Sequence, residues 1–140
     1  MARVDRIIPK QKQPEYYSDF TMNLDKNLVT GQLLRITNAE AVKEAIVNLV
    51  LTGIKERPYQ PWLGSRVKQS LFDNMDDEVA IDNIKNSIED CIKNNDIRAK
   101  VLRINMEPAT ENNGYNVQVI FSIINVTEPL TAEFFLERVR

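Results

Sequence analysis

Apolar residues recur along this chain first at helical and then at strand spacing. Thr37-Asn38-Ala39-Glu40 has the form of a capping box, in which a threonine hydroxyl and a glutamate carboxylate satisfy amides at a helix start. Val42, Ala45, Ile46, Leu49 and Val50 follow at helical spacing, with Lys43, Glu44 and Asn48 outside, and Gly53 is the expected stop. Leu63, Val67 and Leu71 predict a shorter helix over about 63–72, after which Asn74 or Asp76 offers the next cap. Ile81, Ile84, Ile88 and Ile92, with Cys91 beside them, form the cleanest stripe, bracketing Asp82, Lys85, Glu89 and Lys93. Burying those isoleucines is worth about 6–12 kcal/mol gross.

Beyond Asn94-Asn95, which tolerate the left-handed conformation of a helix stop, the period changes to two. Ile97 to Met106 reads as a strand, and residues 107–114 as a loop ending in Asn113-Gly114. Tyr115, Val117, Val119, Phe121 and Ile123 alternate with Asn116, Gln118, Ile120, Ser122 and Ile124 in a second strand. After Glu128-Pro129, Ala132, Phe134 and Leu136 alternate with Thr131, Glu133, Phe135 and Glu137 in a third. Ahead of the helices, residues 18–36 hold one or two short strands, and residues 1–17, with four basic side chains and two prolines, form an extended arm. The fold class is α+β: two or three helices packed on a C-terminal antiparallel β meander, in one domain spanning 18–140.

Composition narrows the chemistry. A chain of 140 residues with 43% hydrophobic residues buries one core, not two. Eighteen basic and 20 acidic side chains leave a net charge of −2, so no global field favours nucleic acid or an anionic membrane, and a protein partner is expected. No apolar run spans a bilayer or forms a signal peptide, which predicts a cytoplasmic site of synthesis. Without histidine, and with the single Cys91, the chain lacks the usual zinc sets, so neither metal nor cofactor is expected and catalysis would rest on carboxylates.

The segment 51–64, with Glu56-Arg57-Pro58, Tyr59, Pro61, Trp62 and Gly64, is a stiff aromatic turn between helices. Glu56 and Arg57 read as a local ion pair at a helix end, or alternatively as a catalytic carboxylate beside a charge. A glycosidase needs a second carboxylate close by, and Asp73, Asp76 and Asp77 look like turn and cap residues. Trp62 is either a core lid or a rigid interface anchor. Asp96-Ile97-Arg98 lies where the long helix passes into the first strand. Phe135 faces away from Phe134, so the last strand is either an edge that invites an added strand or one blunted by Glu133, Glu137 and Arg138.

The order of Thr30-Gly31, the Ala-rich helix with Asn48-Leu49, Leu51-Thr52, Glu56-Arg57-Pro58, Pro61, Gly64, Leu71-Phe72-Asp73, the Ile-spaced helix and the meander resembles the baseplate wedge family of contractile phage tails. That family includes the type VI secretion baseplate homologue, and the likeness covers about positions 19–138. It implies a fold similar to the tail-sheath core and a structural, non-enzymatic subunit that links a helical bundle of wedge proteins to the first sheath ring. It further implies sheath templating by strand addition, with Glu133, Phe135 and Glu137 on the sheath-facing strand. The implied location is the virion tail baseplate, reached through assembly in the host cytoplasm. The family's Glu-Pro-Arg motif, which binds the bundle, falls on Asp96-Ile97-Arg98, with Ile97 in place of proline. Lys55 stands where a glycine is common. Some members are labelled lysozyme-like, so peptidoglycan cleavage using Glu56 is the alternative.

Overall fold

The computed structural model describes residues 14–71, 78–124, 126 and 128–138. Its elements are β1 (Ser18–Phe20), β2 (Arg35–Thr37), α1 (Ala39–Leu51), α2 (Val67–Ser70), α3 (Glu78–Asn95), β3 (Ala99–Ala109), β4 (Gly114–Ile123) and β5 (Leu130–Glu137), with a 3-10 turn at Thr110–Asn112. β1 and β2 form an antiparallel two-stranded sheet, and β3-β4-β5 an antiparallel meander in that order. The α+β architecture expected from the change of period is the one observed.

The core lies between the helices and one face of the meander. Val42, Ile46 and Val50 of α1 and Ile84, Ile88 and Ile92 of α3 meet Tyr115, Val117, Val119 and Phe121 of β4 and Ala132 and Leu136 of β5. Helix α3 lies against β3, and α1 against β5. Ile81 is only partly buried, because it packs at the margin of this cluster. On β4 the alternation holds, with Tyr115, Val117, Val119, Phe121 and Ile123 all inward. A register shift between Val101 and Arg103 bulges β3 and leaves Leu102 exposed. Gly114 is required by close approach: a side chain there would collide with the Leu136 carbonyl and the Phe135 ring.

Several boundaries differ from expectation. No capping box forms at Thr37: the N-cap is Asn38, at φ 51°, and its side chain does not cap the helix. Helix α1 stops just ahead of Gly53, as expected, but Gly53 is not left-handed: the stop is made by Thr52, which turns extended and donates both its N–H and its hydroxyl to the Asn48 carbonyl (3.0 and 2.7 Å). The helix expected over 63–72 is reduced to Val67–Ser70, since Leu63, Gly64 and Ser65 are held in the preceding loop, although Val67 and Leu71 are buried as expected. Phe72 and the caps Asn74 and Asp76 lie outside the described residues, as do residues 1–13 of the arm. Neither Asn94 nor Asn95 is left-handed; α3 closes with the Asp96 N–H on the Ile92 carbonyl (2.8 Å). β3 begins at Ala99 rather than Ile97, and most of the expected 107–114 loop is strand and 3-10 turn, reversed at left-handed Asn113 (φ 50°).

Candidate functional site

The junction of α3 and β3 carries the most organised polar group. The Asp96 side chain is 7% exposed and the Arg98 side chain 33%. Arg98 donates Nε–H to Asp96 Oδ1 (2.8 Å), Nη2–H to Oδ2 (2.7 Å) and its backbone N–H to Oδ1 (3.0 Å). This two-pronged fork is the geometry that arginine offers and lysine does not. Burial alone would raise the Asp96 carboxyl, but the Arg98 side-chain bonds, its backbone amide and its charge outweigh that and hold the carboxyl below its ordinary value. Arg98 is raised in turn, first by the hydrogen bond to Asp96. Its guanidinium carbon stands 5.2 Å from the centre of the Tyr17 ring. Ile97, between the pair, is 85% exposed.

The loop 52–65 is a closed unit. Ser65 N–H donates to Thr52 O (2.8 Å), Ile54 N–H to Ser65 O (3.2 Å) and Lys55 N–H to Pro61 O (2.8 Å). Ser65 is buried, and its hydroxyl donates to the free Val50 carbonyl at the end of α1 (2.6 Å). Gly64 takes φ +133°, and a side chain there would stand 2.5 Å from Thr52 O and 3.0 Å from Gly53. Beneath it, the buried Cys91 thiol donates to Gly64 O (3.1 Å), and burial pushes its pKa up to about 11. Cys91 is thus core, as its place on the stripe suggested.

Within this loop Glu56 pairs not with Arg57, as expected, but with Lys68 of α2 (2.5 Å), while also accepting the Gly53 N–H (2.8 Å). Lys68 first, and then Gly53, hold its carboxyl below the ordinary range. Trp62 is 68% exposed and Tyr59 94%, so Trp62 is no core lid; Arg57 and Pro58 share the exposed rim. Lys55 adopts φ 74°, a left-handed value that favours glycine, at the position where the resemblance has one.

On the meander, β3 and β5 each pair with β4 alone among the described residues, so each presents one open margin. Glu133, Phe135 and Glu137 share the face away from the core. Asn105 Nδ2 donates to Gln118 Oε1 and Gln118 Nε2 to Glu133 Oε1, both 2.9 Å, which makes a polar ladder across the three strands. Phe135 also covers Gly114, so its exposure has an internal cause as well as any external use.

The residues offered for glycosidase chemistry do not assemble into a described pair. Asp73, Asp76 and Asp77 lie outside the described residues, and Glu56 is an exposed, ion-paired carboxylate rather than one kept neutral by an apolar pocket. Among the described residues no three His, Cys, Asp or Glu side chains cluster as a metal site, and no helix is long and apolar enough to cross a membrane. Sequence reasoning missed Tyr17, Asn38, Ser65 and Lys68, whose partners here are 12 to 81 positions away.

No protein-family model matches the chain. Its fold is shared with solved structures: a chain in the six-fold symmetrised baseplate of the anti-feeding prophage is similar at a TM-score of 0.58 and 19% identity, covering 88% of this chain and 86% of that one. A Geobacter sulfurreducens protein described as a candidate tail lysozyme is similar at a TM-score of 0.62 and 18% identity, covering 73% and 95%. In sequence, the chain is 27% identical over 125 residues to baseplate wedge protein gp25 of Enterobacteria phage T4, covering 89% of this chain and 86% of that protein. The chain is thus similar in sequence to a baseplate wedge protein of a contractile tail, in line with the resemblance that its residues carry.

Proposed function

We propose that this chain is a non-enzymatic structural subunit of a contractile-tail baseplate that joins the wedge bundle to the first sheath ring. The observation that carries the reading is the match to a baseplate wedge protein along nearly the whole of both chains. In this reading residues 18–140 act as one module behind the arm 1–17, Asp96-Ile97-Arg98 docks on the bundle, and the 56–64 loop makes further contacts. The open margin beside Glu133, Phe135 and Glu137 then accepts a strand from the sheath. The preformed Asp96–Arg98 fork and the two one-sided strands support it. The location that follows is the tail baseplate, after assembly in the host cytoplasm. Baseplates reconstituted with and without the chain test it: sheath should nucleate only with it, and Arg98→Ala should lower its incorporation. Equal nucleation in its absence refutes the reading.

The neighbour described as a candidate tail lysozyme raises the alternative of peptidoglycan cleavage by Glu56. A general acid must hold its proton near neutral pH, whereas Lys68 and Gly53 favour the ionised form of Glu56. Clearing of a cell-wall suspension by the wild-type chain, abolished in Glu56→Gln, would establish the enzyme instead.

A further inference from the structure

Residues 14–17 belong to no helix or strand, yet one side chain ties them down. Asn38 Oδ1 accepts the Tyr16 N–H (2.9 Å) and, at longer range, that of Tyr17 (3.5 Å). Its Nδ2 donates to the Pro14 carbonyl (3.2 Å), and its backbone N–H donates to the Tyr17 carbonyl (2.8 Å). Asn38 does this at φ 51°, a value asparagine tolerates better than most residues, and it leaves α1 without a side-chain cap. The strap brings the Tyr17 ring over the Arg98 guanidinium, while Asp96 takes its Nε and Nη2 edge.

We infer that Asn38 and Tyr17 are positioning residues for Arg98, and that the docking surface is assembled from three separate segments: the strap, the α3–β3 turn and Ile124 just after β4. The inference rests on the reading of Asp96-Ile97-Arg98 as a docking site. Ile124 belongs to this surface because its N–H donates to the Arg98 carbonyl (3.0 Å), and Ile97 and Ile124 are both exposed beside the arginine. A long cation fixed before its partner arrives loses little freedom on binding, and apolar neighbours exclude water around it. Asp96 already neutralises Arg98, and Asp19 adds a further negative charge to its field. The remaining guanidinium N–H groups therefore suit a neutral acceptor, a backbone carbonyl or side-chain amide, set in apolar surface.

The test has two readouts on the full chain. The Arg98 Nε–H resonance, assigned by its loss in Arg98→Lys, should carry a ring-current shift that persists in Tyr17→Phe. In Tyr17→Leu and in Asn38→Gly, which keeps the backbone conformation without the amide, the shift should vanish while the rest of the spectrum stays folded. Affinity for wedge subcomplex purified from the particle that carries this chain should fall about tenfold in both variants and be kept in Tyr17→Phe. It should change less than about threefold between low and high salt, as expected for a neutral acceptor. An unmoved Arg98 resonance, with docking still lost in Arg98→Ala, refutes the strap alone. A steep salt dependence refutes the neutral acceptor, and full affinity in Arg98→Ala refutes the docking reading itself.

Discussion

Gly64→Ala should be among the most damaging single-methyl substitutions in this protein. A β-carbon there would stand 2.5 Å from the Thr52 carbonyl oxygen and 3.0 Å from both the carbonyl carbon and oxygen of Gly53, and φ is +133°. Those are backbone atoms that cannot rotate aside. Thr52 O is held by the Ser65 N–H (2.8 Å), so relief means opening the neck of the loop. Backbone strain of about 1–3 kcal/mol and the loss of one buried hydrogen bond at about 1 kcal/mol together predict a cost of about 2–4 kcal/mol. For a domain of this size that lowers Tm by roughly 6–16 °C. Gly53→Ala is the control: its β-carbon meets only the end of the Glu56 side chain, at 3.0–3.1 Å, which can swing away. It should cost less than about 1 kcal/mol. Urea unfolding followed by circular dichroism measures both. Gly64→Ala within about 0.5 kcal/mol of wild type would show that the loop is not a rigid neck.

Other expectations follow from the same geometry. Lys55→Gly should stabilise the fold by about 0.5–1 kcal/mol, because Lys55 sits at φ 74°; a loss of stability in urea would contradict the strain. Cys91 is neutral when protonated and its folded pKa is raised to about 11, so its contribution is complete below the unfolded thiol value near 9 and is lost as pH rises through 11. The alkaline fall in Tm should therefore be shallower in Cys91→Ala, and alkylation of native Cys91 at pH 8 should be far slower than of unfolded chain. Asp96 has a lowered folded pKa, so its contribution is present above the unfolded carboxyl value and is lost as pH falls through the folded one. Asp96→Asn should cost about 1–3 kcal/mol at pH 7 and flatten the acid limb of a pH–Tm profile; an unchanged limb would refute the pairing.

How much of this was legible depends on the range of the forces involved. The α3 stripe and the β4 alternation could be read because burial against one face imposes a period on neighbouring residues. The α2 boundary could not, because Ser65 is held by hydrogen bonds to Thr52 and Val50, 13 and 15 positions earlier. The Thr37 capping box matched a local pattern, but Asn38 takes the cap position and spends its side chain on residues 14–17, 21 to 24 positions away. Glu56 was expected beside Arg57 and instead found Lys68, since adjacency in sequence does not make side chains face one another. Asp96 and Arg98 were legible as a charged pair at a helix end. The Tyr17 ring that completes their setting was not, because nothing in the sequence links position 17 to position 98.

The neck formed by Thr52 and Ser65 makes the intervening stretch a self-contained cassette. Both ends are fastened beside the terminus of α1, and the tip around Arg57, Pro58 and Tyr59 lies in solvent. Residues at that tip are thus free to diverge without disturbing the two long helices. A lineage could retune what the tip touches while inheriting an unchanged chassis.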